Sequence, residues 1–406
     1  MKPISIGVIS DIHVGASARS KDLQPNSATT SDDEQYLKKF DQFVSREGIR
    51  VDYLLVPGDM TCSGSRDEME LASTVLEALA TSLHINIERV VVIPGNHDTY
   101  WVPEDEAVDS DLQWLQRYDQ LKYFSQNIFQ VIQRGEGDIL FEPCFSLWRF
   151  DNLEVLGINT AFYDKRDNLN HPGEITDESL RSLKAALDTS FTSDDVVRVA
   201  LAHHHPLPYP EPVPMTPKDF SIMINAESLL KLLVDHRFEF LIHGHKHVPF
   251  FTIRQDDSWH PLCILGSGSF SAKLHSRWNG IVNNQFHVVR IEDRESISKY
   301  CCGYVESWTF LSNHGWVKSA KHNGIRHGNP FGSFALPKEF ENKLRNIVVP
   351  MIQTGEPVRW SKIAENHGLK YHPTKLVAST LRKLASELKC DVVEHEDDLI
   401  LVQAEK

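Results

Sequence analysis

Apolar residues in this chain fall in short runs rich in valine and isoleucine, at 4–10, 52–56, 90–93, 145–150, 155–158, 196–202, 238–242, 262–265 and 286–291, each closing on small or polar residues. Runs of that length between turn signals predict strands. Between them, 67–83 and 177–187 place apolar residues at three- to four-residue steps and predict surface helices. The stretch 112–132 sets Trp114, Tyr118, Leu121, Ser125, Ile128 and Ile132 at the same steps and predicts a helical insertion at 110–135, after the third strand. Strands alternating with amphipathic stretches predict an α/β, or layered α+β, fold with its chemistry at the strand ends.

Two segments break the pattern. Residues 206–217 contain six prolines, which forbids a helix and predicts an extended loop beside a histidine cluster. Residues 313–335 are rich in Gly, Asn and His without a sustained period and predict a linker, dividing the chain into 1–312 and 336–406. In the second part, 340–353, 360–366 and 373–388 predict helices. Gly368 ends the second of these, and Val377, Leu381, Leu384 and Leu388 share one face of the third. Strands at 391–394 and 399–402 close around an acidic turn.

Composition narrows the class. With 41% hydrophobic and 24% charged residues, the 406-residue chain is neither disordered nor fibrous, and its length suits two domains. No run of about 18 apolar residues could span a bilayer. Residues 1–9 read as a strand rather than a leader, so the chain is expected to start at residue 1 and remain cytoplasmic. Cys62, Cys144, Cys263, Cys301, Cys302 and Cys390 contain no CxxC and are expected to be reduced. Lys and Arg total 42 against 56 Asp and Glu, a balance of 42 − 56 = −14, which argues against a generic binder of phosphate backbones.

Five motifs follow predicted strands in order: Asp11-Ile12-His13, Gly58-Asp59, Gly95-Asn96-His97-Asp98, His203-His204-His205-Pro206 and Gly244-His245-Lys246-His247. Polar groups at strand termini converge on one edge of a sheet. In an extended segment the first and third residues share a side, so Asp11 with His13, and His245 with His247, can each hold one ion. Gly58, Gly95 and Gly244 let the backbone turn sharply beside them.

The ordered set DxH, GD, GNHD, HxP and GHxH resembles the calcineurin-like metallophosphoesterase superfamily over residues 1–305. The resemblance implies a β-sandwich flanked by helices and two divalent ions. Asp11, His13, Asp59 and His247 would hold one ion, and Asp59, Asn96, His204 and His245 the other, with Asp59 bridging. His204 is taken because the family's ligand precedes proline by two positions, with His203 and His205 flanking it. His97 would act on the phosphoryl or leaving-group oxygen, steadied by Asp98. Two ions about 3.5–4 Å apart would activate water for in-line attack on phosphorus without a covalent intermediate. Carboxylate, amide and imidazole donors without thiolate suit Mn, Fe or Zn.

The segments 170–175 and 266–269 resemble the branch that includes class III cyclic-nucleotide phosphodiesterases, which bears on the branch more than on any substrate; the expected substrate is a phosphodiester, either nucleotide-like or nucleic acid. Tyr100 and Trp101 stand ready to stack on a base or to pack under the insertion, and His171 and His275 to line the pocket or lie on the surface. The alternative from another class is a non-catalytic scaffold on the same fold, against which the complete ligand set tells.

Residues 336–406 resemble a winged helix-turn-helix in architecture. From 359 to 389 there are seven Lys/Arg and two Glu, and the 373–388 helix would present Thr374, Lys375, Ser379 and Arg382 to nucleic acid. Glu394, Glu396, Asp397 and Asp398 on the wing would repel phosphates, which favours a docking or self-association module for a protein partner or second copy over a guide for a nuclease.

Overall fold

A computed structural model describes residues 2–15, 23, 36–100, 139–142, 144–164, 171–189, 195–208, 221–255, 260–274, 281–294, 300–320, 322, 324–333, 336–395 and 398–403. The expected insertion at 110–135, Trp101, His275, most of the proline-rich loop and the wing residues Glu396 and Asp397 lie outside the described residues.

The chain divides into two compact units, residues 1–290 with 306–327, and residues 291–305 with 328–406. In the first, β1 (Ile4–Val8), β2 (Tyr53–Pro57) and β3 (Val90–Ile93) pair in parallel. Next to β1 the sheet continues through β11 (Gln285–Arg294), β12 (Cys301–Leu311) and β13 (Gly315–Lys318). A second sheet runs in the order β4 (Ile139–Glu142), β5 (Phe145–Arg149), β6 (Leu153–Ile158), β7 (Val197–Ala202), β8 (Phe240–His243), β10 (Leu262–Gly266), β9 (Phe250–Arg254). Here β6, β7, β8 and β10 are parallel. Both sets of central strands are buried along their length, as parallel strands covered on both faces must be.

The outer layers come from amphipathic helices. On the first sheet, α1 (Tyr36–Glu47) turns Tyr36, Phe40, Phe43 and Val44 inward, and α2 (Arg66–Ser82) turns in Met69, Ala72, Leu76 and Leu79. On the second, α3 (Asp177–Thr189) buries Leu183 and Leu187, and α4 (Ala226–Asp235) buries Leu229, Leu230 and Leu233. Where the sheets face one another, a side chain on Gly157 of β6 would meet Ile93 of β3 at 2.6 Å. Glycine is therefore required for the layers to close. The result is the layered α/β architecture the periodicity predicts.

Several elements carry weak or overlooked periodicity. The inward residues of α1 stand at i, i+4, i+7 and i+8, a helical stripe that the strand-centred reading passes over. Trp316, in the span expected to be a linker, lies on β13, whose backbone pairs with β12 from Trp308–Lys318 to Leu311–Gly315. Residues 329–331 form β14 (Asn329–Phe331), paired within the second unit with residues 303–305 at the start of β12. A four-residue and a three-residue strand are too short to show a period. Their partners define them.

The second unit carries its own core. It contains α5 (Pro337–Ile352), β15 (Val358–Arg359), α6 (Trp360–Asn366), α7 (Thr374–Leu388), β16 (Cys390–His395) and β17 (Asp398–Gln403), the strands ordered β15-β17-β16. Phe340, Leu344 and Val348 of α5 pack with Val377, Leu381 and Leu384 of α7 and Leu401 of β17.

Phe40 is the hub of the first unit's aromatic cluster, with ring centroids 5.1 Å from both Phe270 and Phe286 and 5.5 Å from Trp316. Phe40→Ala is expected to destabilise the chain by about 3–5 kcal/mol through lost contacts and an incompletely relaxed cavity. Urea unfolding of the full chain measures this, and a loss below about 1 kcal/mol would contradict the packing described.

Candidate metal centre

Parallel register carries the candidate ligands to one edge. Val8 pairs with Leu55, and Pro57 with Ile93, so the loops bearing Asp11, Asp59 and Asn96 leave the first sheet side by side. On the second sheet Ala202 pairs with His243, placing His203 beside the loop that carries His245 and His247. Asp11, His13, Asp59, His245 and His247 all adopt left-handed backbone conformations, with φ between 49° and 70°. Asp and His tolerate that region better than most side chains, and single residues held there mark functional turns. Gly244 meets the same crowding by lacking a side chain, since a Cβ there would strike Ser10 Oγ and lie 2.6 Å from Asp11 Oδ2.

Two groups of donors share one carboxylate. His13 Nε2 lies 3.1 Å from His247 Nε2, 3.5 Å from Asp59 Oδ2 and 4.0 Å from Asp11 Oδ1, and His247 Nε2 is 3.4 Å from Asp11 Oδ1. On the other side of Asp59, Oδ2 is 3.2 Å from His203 Nε2. Asn96 Oδ1 lies 3.0 Å from His203 Nε2 and 3.1 Å from His245 Nδ1. The structure thus brings together Asp11, His13, Asp59, Asn96, His245 and His247.

At the histidine run the structure revises the expectation. His203, rather than His204, faces Asp59 and Asn96. His203 Nδ1 donates to the Pro57 carbonyl at 2.9 Å, which leaves Nε2 for the cluster. His204 pairs through Nδ1 with Thr160 Oγ1 at 2.8 Å. This follows because β7 ends at Ala202 and the first residue beyond it, His203, faces the other sheet. Sequence offers no signal for which of three consecutive histidines that is. His205 stacks on His245, its centroid 6.1 Å away.

His97 and Asp98 also part company. Asp98 makes no hydrogen bond to the His97 ring. It accepts from the N–H groups of Gly95 (2.9 Å), Thr61 (2.9 Å) and Met60 (3.3 Å), tying the Asn96 loop to the Asp59 loop. The His97 ring is held at Nδ1 by the Cys62 carbonyl at 2.8 Å, and the His97 N–H donates to Asp59 Oδ1 at 2.9 Å. Tyr100 is half-buried, and His171 pairs with the buried Asp164 at 2.8 Å.

Electrostatics sort the donors. Burial would raise the Asp59 carboxyl, but His203, His97 and His13 hold it well below the usual carboxylate range. Asp11 behaves alike, its burial outweighed by His247 and His203. Burial pushes His13 down to about 4 and His245 to about 3, so both rings present lone pairs at neutral pH. His203 is lifted to about 9 because Asp59 outweighs burial, and His97 is raised chiefly by Asp59 and the Cys62 carbonyl against its own burial. Burial and Asp59 raise Asp98 to about 6.

The donors fit a pair of cations. Two anionic carboxylates and the neutral rings of His13 and His245 converge there with His203 and His247, and Asp11 Oδ2 is buried without a hydrogen-bond partner. The ligand atoms of Asp11, His13, Asp59 and His247 all lie within 4.8 Å of one another, as do those of Asp59, His203 and His245. Mixed oxygen and nitrogen donors of this kind suit divalent ions.

A family model for calcineurin-like phosphoesterases matches residues 4–249. No curated protein matches the sequence. Similar solved structures include purple acid phosphatase PPD1 from yellow lupin (Lupinus luteus) seeds, 11% identical with a TM-score of 0.42, covering 78% of this chain and 52% of that one. A putative 5'-nucleotidase from Staphylococcus aureus is 12% identical with a TM-score of 0.37, covering 72% and 51%. GAP50, the anchor in the inner membrane complex of Plasmodium, is 13% identical with a TM-score of 0.37, covering 81% and 89%. The chain spans about half the length of the phosphatase and the nucleotidase.

If His203 is the ligand, His203→Ala should lower bound metal from two equivalents towards one, while His204→Ala keeps two. Elemental analysis of both variants after Mn²⁺ loading decides between them, and loss of metal only in His204→Ala would reverse the assignment.

Proposed function

The chain belongs to the calcineurin-like phosphoesterase family, and from that premise we propose that it is a dinuclear metal-dependent phosphohydrolase that cleaves a phosphodiester. The observation that carries the reading is the double cluster sharing Asp59. Asp11, His13, Asp59 and His247 would hold one ion, and Asp59, Asn96, His203 and His245 the other. Manganese, iron or zinc suits these donors. When bound, the ions supply Lewis acidity toward a phosphate and an activated water as nucleophile.

The chain's own residues supply the remainder. Asp59 keeps its negative charge through the surrounding imidazoles, and the N–H of His97 fixes its second oxygen at 2.9 Å. His97 is exposed at the edge of the cluster with Nδ1 engaged by a carbonyl, so Nε2 is the atom available to a substrate oxygen. Its raised pKa favours the protonated ring, which suits donation to a leaving-group oxygen or stabilisation of phosphoryl charge. Asp98 holds the two ligand loops together rather than orienting that ring.

Preference for a diester rests on the resemblance of 170–175 and 266–269 to the cyclic-nucleotide phosphodiesterase branch. Six scattered cysteines without a CxxC pair suit a reducing compartment, and we place the protein in the cytoplasm on that ground.

We also read 336–406 as a winged helix-turn-helix, supported by three helices and a three-stranded sheet in that motif's chain order. Its cations are partly neutralised: Lys383 pairs with Glu341 at 2.6 Å, and Arg345 with Glu387 at 2.5 Å. This supports docking of a protein or a second copy over nucleic-acid binding.

With Mn²⁺ added, turnover should appear on a chromogenic diester and on cyclic nucleotides in a panel that includes a monoester and single- and double-stranded oligonucleotides. Activity on the monoester alone would reject the diester reading, and no activity on any substrate would favour a scaffold. His97→Ala should cut turnover about 10²–10⁴-fold with both metals retained, and should remove the activity loss expected as pH rises through the His97 pKa. Loss of a metal from that variant would make His97 a ligand instead.

A further inference from the structure

A left-handed conformation at a residue with a side chain persists only where its neighbours over-determine it. For Asp11 and His13 those neighbours can be named. The segment after β10 runs beside the Asp11–His13 turn: Ser10 and Ser269 form a parallel bridge, and the Phe270 N–H donates to the Ser10 carbonyl at 2.8 Å. From this segment two hydroxyls reach back. Ser269 Oγ donates to the Asp11 carbonyl at 2.7 Å, and Ser271 Oγ to the Ile12 carbonyl at 2.6 Å.

Each carbonyl lies in the peptide plane that joins its own residue's ψ to the next residue's φ. The two hydroxyls therefore fix the planes on either side of Ile12, and with them the rotations that aim Asp11 and His13. The same stretch is pinned from its other side by the Asp11 N–H on the Gly58 carbonyl at 3.2 Å and the His13 N–H on the Asp59 carbonyl at 3.0 Å. Asp11 and His13 are thus locked to both the Asp59 loop and the 267–272 segment.

The hydroxyl of Ser269 has little freedom to do anything else. It accepts from the Ala272 N–H at 2.9 Å and from Asn284 Nδ2 at 3.4 Å, which commits its own proton to the Asp11 carbonyl. Asn284 is held in turn by donating to the Ala272 carbonyl at 3.0 Å. Ser269, Ser271 and Asn284 are all 0% exposed, so water cannot replace a missing hydroxyl.

We propose that Ser269 and Ser271 are positioning residues for the ion held by Asp11, His13, Asp59 and His247. The proposal rests on reading the cluster as a metal centre. Neither serine touches the ion; each sets the backbone that aims two of its ligands. The second ion, held by Asn96, His203 and His245 with Asp59, depends on loops that neither hydroxyl contacts.

The test is Mn²⁺ titration of the metal-free full-length protein by calorimetry, with electron paramagnetic resonance to report the coupled pair. Ser269→Ala and Ser271→Ala should each weaken one of two binding events by about 10–100-fold and leave the other near wild type. Ser271→Thr, which keeps a hydroxyl, should bind more tightly than Ser271→Ala. Ser319→Ala controls for simple destabilisation: Ser319 Oγ donates to the Ile325 carbonyl at 2.7 Å in the same buried polar layer without touching the turn. It should lower the melting temperature and leave both events unchanged. Wild-type affinity at both sites in both alanine variants, equal weakening of both events, or the same one-sided loss in Ser319→Ala would overturn the proposal. Failure of the wild-type chain to bind two ions would instead overturn the metal-centre reading itself.

Discussion

One carboxylate organises this molecule. Asp59 stands between His13 at 3.5 Å and His203 at 3.2 Å, almost fully withdrawn from water. Isolated, such a charge would be expelled or protonated. Here its neighbours keep it ionised, and it draws His203 toward protonation in return. The folded chain therefore holds its anionic ligands ready. Under the proposed assignment, ion binding would displace protons from the cluster, most directly from His203, and would link metal affinity to proton release.

Holding that charge constrains the scaffold around it. The loops that carry the candidate ligands must approach within hydrogen-bonding distance from two sheets, which is why glycine is required at position 244 and why five of the candidate ligands accept left-handed backbones. Each such residue costs about 1–3 kcal/mol, a cost offset by parallel strands that are rigid and buried along their length. Asp98 contributes in the same way, by accepting three backbone N–H groups from two different loops. Its carboxyl is a structural brace beside a candidate metal ligand: burial raises both, but the surrounding imidazoles hold Asp59 well below the usual carboxylate range while Asp98 sits at about 6.

The outer layers answer to a different requirement. α1 and α2 cover the first sheet, α3 and α4 the second, and their faces are ordinary aliphatic and aromatic packing. Beside this packing the first unit buries a set of polar residues that includes Ser269, Ser271, Asn284, Thr309 and Ser319, in which hydroxyls and amides bond one another and nearby carbonyls. Composition gives no hint of such a layer, because serine and asparagine usually signal turns and surface.

What the sequence determined by itself is the local part. Valine-rich runs specified the central strands, three- to four-residue steps specified α2, α3 and the helices of the second unit, and five short motifs identified the chemistry, because each of these is a property of neighbours along the chain. Tertiary structure alone decided the rest. It turned 315–318 into a strand by giving it β12 as a partner, chose His203 among three adjacent histidines by the way β7 ends facing Asp59, and set Asp98 on backbone N–H groups rather than on the His97 ring. Those outcomes depend on distances between segments tens to hundreds of residues apart, and no period or spacing encodes such a distance.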